Sequence, residues 1–207
     1  VLTLAMCKAM NRGLGQVLWP AGSGAVDTIS ESEPPPEAAT KPGGPVVGDW
    51  EHAVGSCREA RSVIMTPGYG MALAQAQVEV AVLATLLEKQ GKQVRFAIHP
   101  VAGRMPGHMH ILLAEAEVSY TKLCDLEQIN GDFPGTDLAI VIGASDVVNP
   151  AASSTAGTPI SGMPILDAHR AGKVLVFNLD ERPGYSGVNN LLYGQDNAIL
   201  MWGDAKE

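Results

Sequence analysis

Basic residues are scarce in this chain. Fourteen Lys and Arg stand against 22 Asp and Glu, giving a net charge of −8 and a pI near 5.1. That balance excludes the basic face that nucleic-acid binding requires. Cysteine is scarcer still. Cys7, Cys57 and Cys124 are odd in number, widely spaced and form no CxxC pair, so neither a disulfide framework nor a zinc site is indicated. Reduced thiols facing a cytosol-like compartment are the plain reading. No internal repeat occurs, and no metal is expected. What the chain does have is apolar content: 46% of its 207 residues, enough for one core-bearing domain of ordinary size plus extras.

The first stretch, Val1-Leu2-Thr3-Leu4-Ala5-Met6-Cys7-Lys8-Ala9-Met10-Asn11-Arg12, is apolar and then basic. It is shorter than the roughly 20 apolar residues that cross a bilayer. Two readings stand: a short soluble helix, or the last turns of a transmembrane helix with Lys8 and Arg12 on the cytoplasmic side. Residues 20–49 are rich in Pro, Gly, Ser and Glu. Such a segment buries too little apolar surface to offset its ordering entropy, so it is expected to be a flexible linker, with Pro34-Pro35-Pro36 a stiff spacer.

From about Asp49 the pattern becomes regular. A short helix is expected over 51–61, then a strand at 62–66 and a long helix over 70–90. A strand follows at 93–98, a helix at 108–116 and a weaker strand at 120–126. The clearest buried strand, 137–143, precedes a short helix at 165–171 and strands at 173–178 and 198–202. Strands alternating with helices predict an α/β fold: a doubly wound, Rossmann-like, mostly parallel sheet of about six strands with helices on both faces.

Within this pattern, Gly68-Tyr69-Gly70-Met71-Ala72 links a strand to a helix. The glycines of such a turn let backbone approach a pyrophosphate, and the helix start offers unpaired N–H groups to it. The signal is incomplete, because Leu73 occupies the last position of Gly-x-Gly-x-x-Gly. Further loops fall at strand C-termini, where ligands bind in such sheets. They are His99-Pro100-Val101-Ala102-Gly103-Arg104-Met105-Pro106-Gly107, Gly143-Ala144-Ser145-Asp146-Val147-Val148-Asn149-Pro150 and Gly184-Tyr185-Ser186-Gly187-Val188. In order, these loops closely resemble the NADP(H)-binding domain, domain III, of the proton-translocating nicotinamide nucleotide transhydrogenases. The resemblance covers about residues 50–206, including Gly203-Asp204-Ala205-Lys206. It also covers Met6 to Arg12, which resembles the end of the last transmembrane helix of the same β subunit.

The resemblance implies three segments: a transmembrane helix end at 1–19, the linker at 20–49 and the NADP(H)-binding domain at 50–207. It implies that hydride passes from NADH on a partner domain to NADP+ on this one, driven by proton movement through a membrane domain. The implied cofactors are NADP(H) here and NAD(H) on the partner. The implied partners are the NAD(H)-binding domain I and membrane domain II in a dimeric holoenzyme. The implied location is the cytoplasmic face of a bacterial inner membrane or the mitochondrial matrix side.

The site residues follow from matched motifs. Gly68, Tyr69, Gly70, Met71 and Ala72 form the turn, and Leu73 stands where the family usually has Val. Val101, Ala102, Gly103, Arg104, Met105 and Pro106 form the next loop, where Arg104 is either a forked phosphate ligand or a surface cation. His99 has no Asp or Glu beside it, so the usual ribose carboxylate is missing there; loop hydrogen bonding is its expected role. His108-x-His110 begins a helix and is not read as a metal pair. Gly143, Ala144, Ser145 and Asp146 follow the buried strand. Asp146 is the candidate coupling residue, or else caps the next helix, and Ser145 replaces a usual Asn. Gly184, Tyr185, Ser186 and Gly187 resemble a mobile lid over the nucleotide, or form a plain surface loop. Gly203, Asp204 and Ala205 close the set. No general base is assigned, because the cofactor carries hydride chemistry.

One departure matters most. Where the family has Lys-Arg-Ser to grip the 2′-phosphate, this chain has Asn178, Leu179 and Asp180. Two charge-assisted hydrogen bonds are worth about 3–6 kcal/mol together, or about two to four decades of affinity. Asp180 would instead suit an unphosphorylated ribose, while Arg182, two residues on, is a substitute cation. Three readings result: an NADP(H) domain rescued by Arg182, the same scaffold with relaxed or NAD(H) specificity, and a non-catalytic relic.

Overall fold

The computed structural model describes residues 46–206. The expected membrane segment at 1–19 and linker residues 20–45 lie outside the described residues. Seven strands form one sheet in the order β1-β7-β6-β5-β2-β3-β4, and every pairing is parallel. Strand β1 is Val46–Val47, β2 Ser62–Pro67, β3 Gln93–Ile98 and β4 Leu123–Asp125. Strand β5 is Leu138–Ile142, β6 Lys173–Asn178 and β7 Ala198–Trp202. Without the edge pair β1, the order is that of the doubly wound dinucleotide-binding sheet, with its switch point between β2 and β5.

The central strands are near-continuous apolar runs because helices or turns cover both their faces. β5, Leu-Ala-Ile-Val-Ile, is buried throughout. Alternate residues divide the core. Met65, Ile140 and Leu175 pack with helices α1 (Trp50–Glu59), α2 (Tyr69–Ala74), α3 (Gln77–Lys89) and α4 (His108–Glu115). Ile64, Val141 and Val176 face the other side, where Ile129, Phe133, Val148, Ala168 and Leu192 cover the sheet. That second face carries only short pieces: α5 (Leu126–Ile129) and 3₁₀ turns, while α6 (Ala151–Ser154) packs in a small separate cluster with Ile160 and Ile165.

Several local expectations are corrected. The long helix expected over 70–90 is two helices, because Gln75 adopts a left-handed conformation (φ 56°) at the end of α2. The strand expected at 120–126 shrinks to three residues after a 3₁₀ turn at Tyr120–Lys122. The helix expected at 165–171 is one 3₁₀ turn, Ala168–Arg170. The sheet also takes in Val46 and Val47, which composition groups with the linker; Val46 pairs with Ile199 and Val47 with Leu200.

The switch-point pair is clamped at both ends. At the N-terminal end, the Asp137 carboxylate accepts from Arg61 N (2.9 Å), Ser62 N (3.0 Å) and Ser62 Oγ (3.0 Å). Backbone donation from Ser62, then Arg61, holds its pKa below the usual carboxylate value. At the C-terminal end, Gly68 N donates to Ile142 O and Gly70 N to Gly143 O, both at 2.8 Å. A Cβ on Gly68 would lie 2.5 Å from Ala144 Cα, and one on Gly70 2.7 Å from Gly143 Cα. Gly143 has φ +63° and would drive a Cβ into Met71 N and Gly70. These three glycines are needed because two loop backbones touch there.

At the end of β3, His99 is buried. Its Nδ1 accepts from Val101 N (3.2 Å), so the opposite nitrogen, Nε2–H, donates to Pro164 O (2.7 Å). Burial pushes this imidazole below its ordinary pKa. The ring is a neutral anchor for the loop it begins, as the sequence led us to expect.

Two tests follow. Gly143→Ala adds overpacking against backbone to left-handed strain, and is expected to cost about 2–4 kcal/mol in urea unfolding. Gly131→Ala, with nothing near its added Cβ, should stay within about 0.5 kcal/mol of the parent; equal midpoints for both variants would refute the contact. The second test concerns pH. The unfolded His99 takes a proton below about pH 6.5, which the buried ring resists. The unfolded chain therefore binds more protons in acid, so stability is full above that pH and falls below it. Urea midpoints at about pH 7.5 and 5.5 should show the loss, and His99→Gln should reduce it, leaving the share from His169, whose pKa burial also lowers.

Candidate functional site

The loops after β2, β3, β5, β6 and β7 meet along the C-terminal edge of the sheet. In the first, the close approach permitted by Gly68 and Gly70 is made to Gly143 and Ala144, and the amides of both glycines are already bonded to protein carbonyls. Met71 is fully buried in the core and Ala72 packs against it. Tyr69 is the member of this turn that reaches the neighbouring loop: the Arg104 guanidinium lies 5.0 Å from its ring centroid. Such a contact contributes about 0.5–1 kcal/mol at an exposed site.

The loop after β3 is folded around His108. Arg104 N donates to His108 Nδ1 (3.3 Å), and Gly103 (φ +104°) leaves room for that ring. Ala102 is buried, whereas Val101, Met105 and Pro106 are exposed. Arg104 makes no ion pair among the described residues, so its charge is available at the rim.

Asp146 is where the expected lid attaches. Its Oδ2 accepts from Ser186 N (2.9 Å) and its Oδ1 from Ser186 Oγ (2.6 Å). A Cβ on Gly184 would fall 2.8 Å from Asp146 Oδ1, so glycine is required for the lid to lie against the carboxylate. Gly187 N donates to Gly184 O (3.0 Å) with φ +71° at Gly187, closing the turn. Tyr185 projects fully into solvent. Asp146 does not cap α6: Pro150 precedes that helix, and Asn149 Oδ1 accepts from Ala151 N (3.0 Å).

The tip of β6 is built differently from a phosphate grip. Asn178 is buried, and its amide donates to Ala144 O (3.0 Å) and the Tyr193 hydroxyl (2.6 Å). Leu179 is exposed. Asp180 accepts from Arg182 N (2.9 Å) and pairs with Arg182 Nε (3.2 Å). Next to this tip, Gly203 N donates to Asn178 O (3.0 Å). Asp204 accepts from Lys206 N (2.9 Å), and Ala205 packs on the core.

Sequence reasoning missed Tyr193 and Asn190. Tyr193 stacks edge-on against Trp202 (5.3 Å between centroids) and lies beside Ser145, Asn178 and Asn190; burial pushes its hydroxyl pKa up. Asn190 donates to Ser145 O (3.1 Å) and accepts from Leu192 N (3.0 Å). The available signal was Asn189-Asn190-Leu191-Leu192-Tyr193, polar amides entering an apolar turn directly after the lid. Together these groups tie the β5 tip, the β6 tip and the segment after the lid into one hydrogen-bonded unit.

This architecture can be set beside known proteins. The family model for the NAD(P) transhydrogenase beta subunit matches residues 1–207. The NAD(P) transhydrogenase subunit beta of Rhodospirillum rubrum is 44% identical over the whole chain, both for the species and for a named strain. The chain spans 44% of the length of those relatives. A solved sirtuin structure aligns with 76% of this chain and 94% of its own at 14% identity and a TM-score of 0.48. With the family model covering the full length, the chain belongs to the NAD(P) transhydrogenase beta subunit family.

Proposed function

We propose that this chain is the NADP(H)-binding component of a membrane-bound, proton-translocating transhydrogenase. It accepts hydride from NADH on a partner domain to form NADPH, coupled to proton translocation. The observation that carries the reading is the Gly184–Gly187 loop fastened to Asp146 beside the switch point, in a sheet of dinucleotide-binding order. A loop held by two hydrogen bonds to one carboxylate is suited to retaining a cofactor and releasing it on demand.

The residues fit a dinucleotide. The Arg104–Tyr69 pair offers a cation and an aromatic face at the rim, and the lid loop lies across the neighbouring strand tip. The bound cofactor supplies the hydride chemistry. The chain's own work is to hold it, orient it and keep water away. No nucleophile is needed, and His99 is committed on both ring nitrogens. Asp146 is the residue through which lid position and coupling would be linked. The proposed assembly places residues 1–19 at the end of a transmembrane helix and 20–45 as the linker, which ends where Val46 joins the sheet. Domain I carries NAD(H), membrane domain II carries protons, and two such units form the holoenzyme. The nucleotide-binding part then faces the bacterial cytoplasm or the mitochondrial matrix. No helix among the described residues is long and apolar enough to cross a membrane.

Isothermal titration of the 207-residue chain with NADP+, NADPH, NAD+ and NADH is expected to show one-to-one nicotinamide dinucleotide binding, NADP(H) included. Failure of all four to bind would leave the relic. The lid generates a second expectation. Ser186→Ala removes the hydroxyl donor to Asp146, a charge-assisted bond. NADPH release, followed by its nicotinamide fluorescence in stopped flow, should accelerate about tenfold or more. An unchanged release rate would show that this contact does not hold the lid.

A further inference from the structure

Charge at the rim is nearly balanced. Among the described residues, the loops after β2, β3, β5, β6 and β7 carry Arg104, Arg182 and Lys206 against Asp146, Asp180, Glu181 and Asp204. A dinucleotide brings a doubly negative pyrophosphate, and a phosphate on the ribose adds nearly two further charges. Of the three cations, Arg104 lies over Tyr69 between the β2 and β3 loops. Lys206 follows β7 at the far side of the site. Arg182 is the one cation at the β6 tip, and its Nε is taken by Asp180 Oδ2 at 3.2 Å. The pair is reinforced by Arg182 N donating to Asp180 Oδ1 at 2.9 Å, so the turn that brings the two side chains together is itself hydrogen-bonded.

The carboxylates sort just as clearly. No acidic residue follows β3 directly; buried, neutral His99 stands there. Asp146 is engaged by Ser186, and Asp204 accepts the backbone of Lys206. Asp180 and exposed Glu181 follow the β6 tip, on the far side of the switch point from β3, and of the two it is Asp180 that pairs with Arg182. An acid at a strand tip is what accepts a free ribose diol, and an unopposed arginine is what accepts a ribose phosphate. Here both groups are present and joined. Asn178 cannot replace either, because its amide donates to Ala144 O and the Tyr193 hydroxyl.

Resting on the dinucleotide reading above, we propose that Asp180 is a specificity-determining residue: by holding Arg182 in an ion pair it suppresses recognition of a 2′-phosphate, so the site accepts NAD(H) and NADP(H) with comparable affinity. The pair is a local gate on cofactor choice. With Asp180 charged, a phosphorylated ribose must compete with a carboxylate for Arg182 and meets that carboxylate's repulsion. A free ribose meets an acceptor.

The test is a titration of the full chain and its variants with NADP+, NAD+, 2′,5′-ADP and 5′-AMP at fixed salt, since phosphate contacts are screened. The parent should bind NADP+ and NAD+ within about tenfold of each other, and 2′,5′-ADP and 5′-AMP likewise. Asp180→Asn should raise affinity for NADP+ and 2′,5′-ADP about tenfold or more while lowering that for NAD+ and 5′-AMP. The double change Asp180→Asn with Arg182→Gln should abolish the gain, which identifies Arg182 as the released ligand. A parent preference for NADP+ of about a hundredfold or more, or an Asp180→Asn effect equal on both cofactors, would overturn the proposal. Binding of none of the four ligands to a folded parent chain would instead remove the dinucleotide reading, and this inference with it.

Discussion

The contact on which the rest of the site depends is between two backbones. Where β2 and β5 end, Gly68 and Gly70 lie directly against Gly143 and Ala144, with hydrogen bonds of 2.8 Å from Gly68 to Ile142 and from Gly70 to Gly143. Parallel neighbours must send their chains in different directions at their C-terminal ends, and this opens a crevice at a switch point. Here the floor of that crevice is closed by main chain. Side chains of any size would push the two loops apart, and with them Asp146, three residues beyond Gly143, and Tyr69, one residue beyond Gly68. The glycines thus set the spacing of the site from within the protein.

A second asymmetry is built on that floor. One face of the sheet is covered by α1 to α4, with large residues such as Met71, Met109 and Leu113 fully buried. The other is covered by short turns held by side-chain hydrogen bonds from Asn149, Asn178 and Asn190. The Gly184–Gly187 loop lies against Asp146, just beyond the end of β5. Asn178, shared between Ala144 and Tyr193, keeps the β5 and β6 tips in register.

Much of this was legible in the sequence, for identifiable reasons. Residues 138–142 form an uninterrupted apolar run, so their burial in a central strand needed no tertiary information. The glycine-bearing loops were visible because each follows such a run. Other features depend on distant partners. Val46 and Val47 form a strand only because β7 offers an edge. Gln75 breaks the expected long helix with no glycine or proline to mark it, so α2 and α3 can each pack on the sheet separately. Asn178 was read as a lost cation; its actual work, joining Ala144 to Tyr193, requires knowing that residues 15 positions apart converge. Arg182 was seen as a substitute cation, yet its sequence proximity to Asp180 did not reveal that the two would pair.

The balance of rim charges bears on how an anionic cofactor would be held at all. With four carboxylates against three cations in the five loops, and one cation paired internally, little net field remains to steer an anion inward. Affinity must then come from short-range features: shape, the aromatic face of Tyr69 under Arg104, and polar groups ordered before the ligand arrives. Order of that kind is set by the glycine floor and the asparagine network, which fix the strand tips to one another. The Gly184–Gly187 loop is tied to that order by two hydrogen bonds from Ser186 to Asp146. A site that relies on geometry more than on Coulomb attraction responds strongly to movement of a single loop, since opening it removes the enclosure while leaving the charge distribution elsewhere unchanged. On the lid reading proposed above, the weak field at the rim and the latch at Asp146 are parts of the same solution: retention would depend on closure, and closure on one carboxylate.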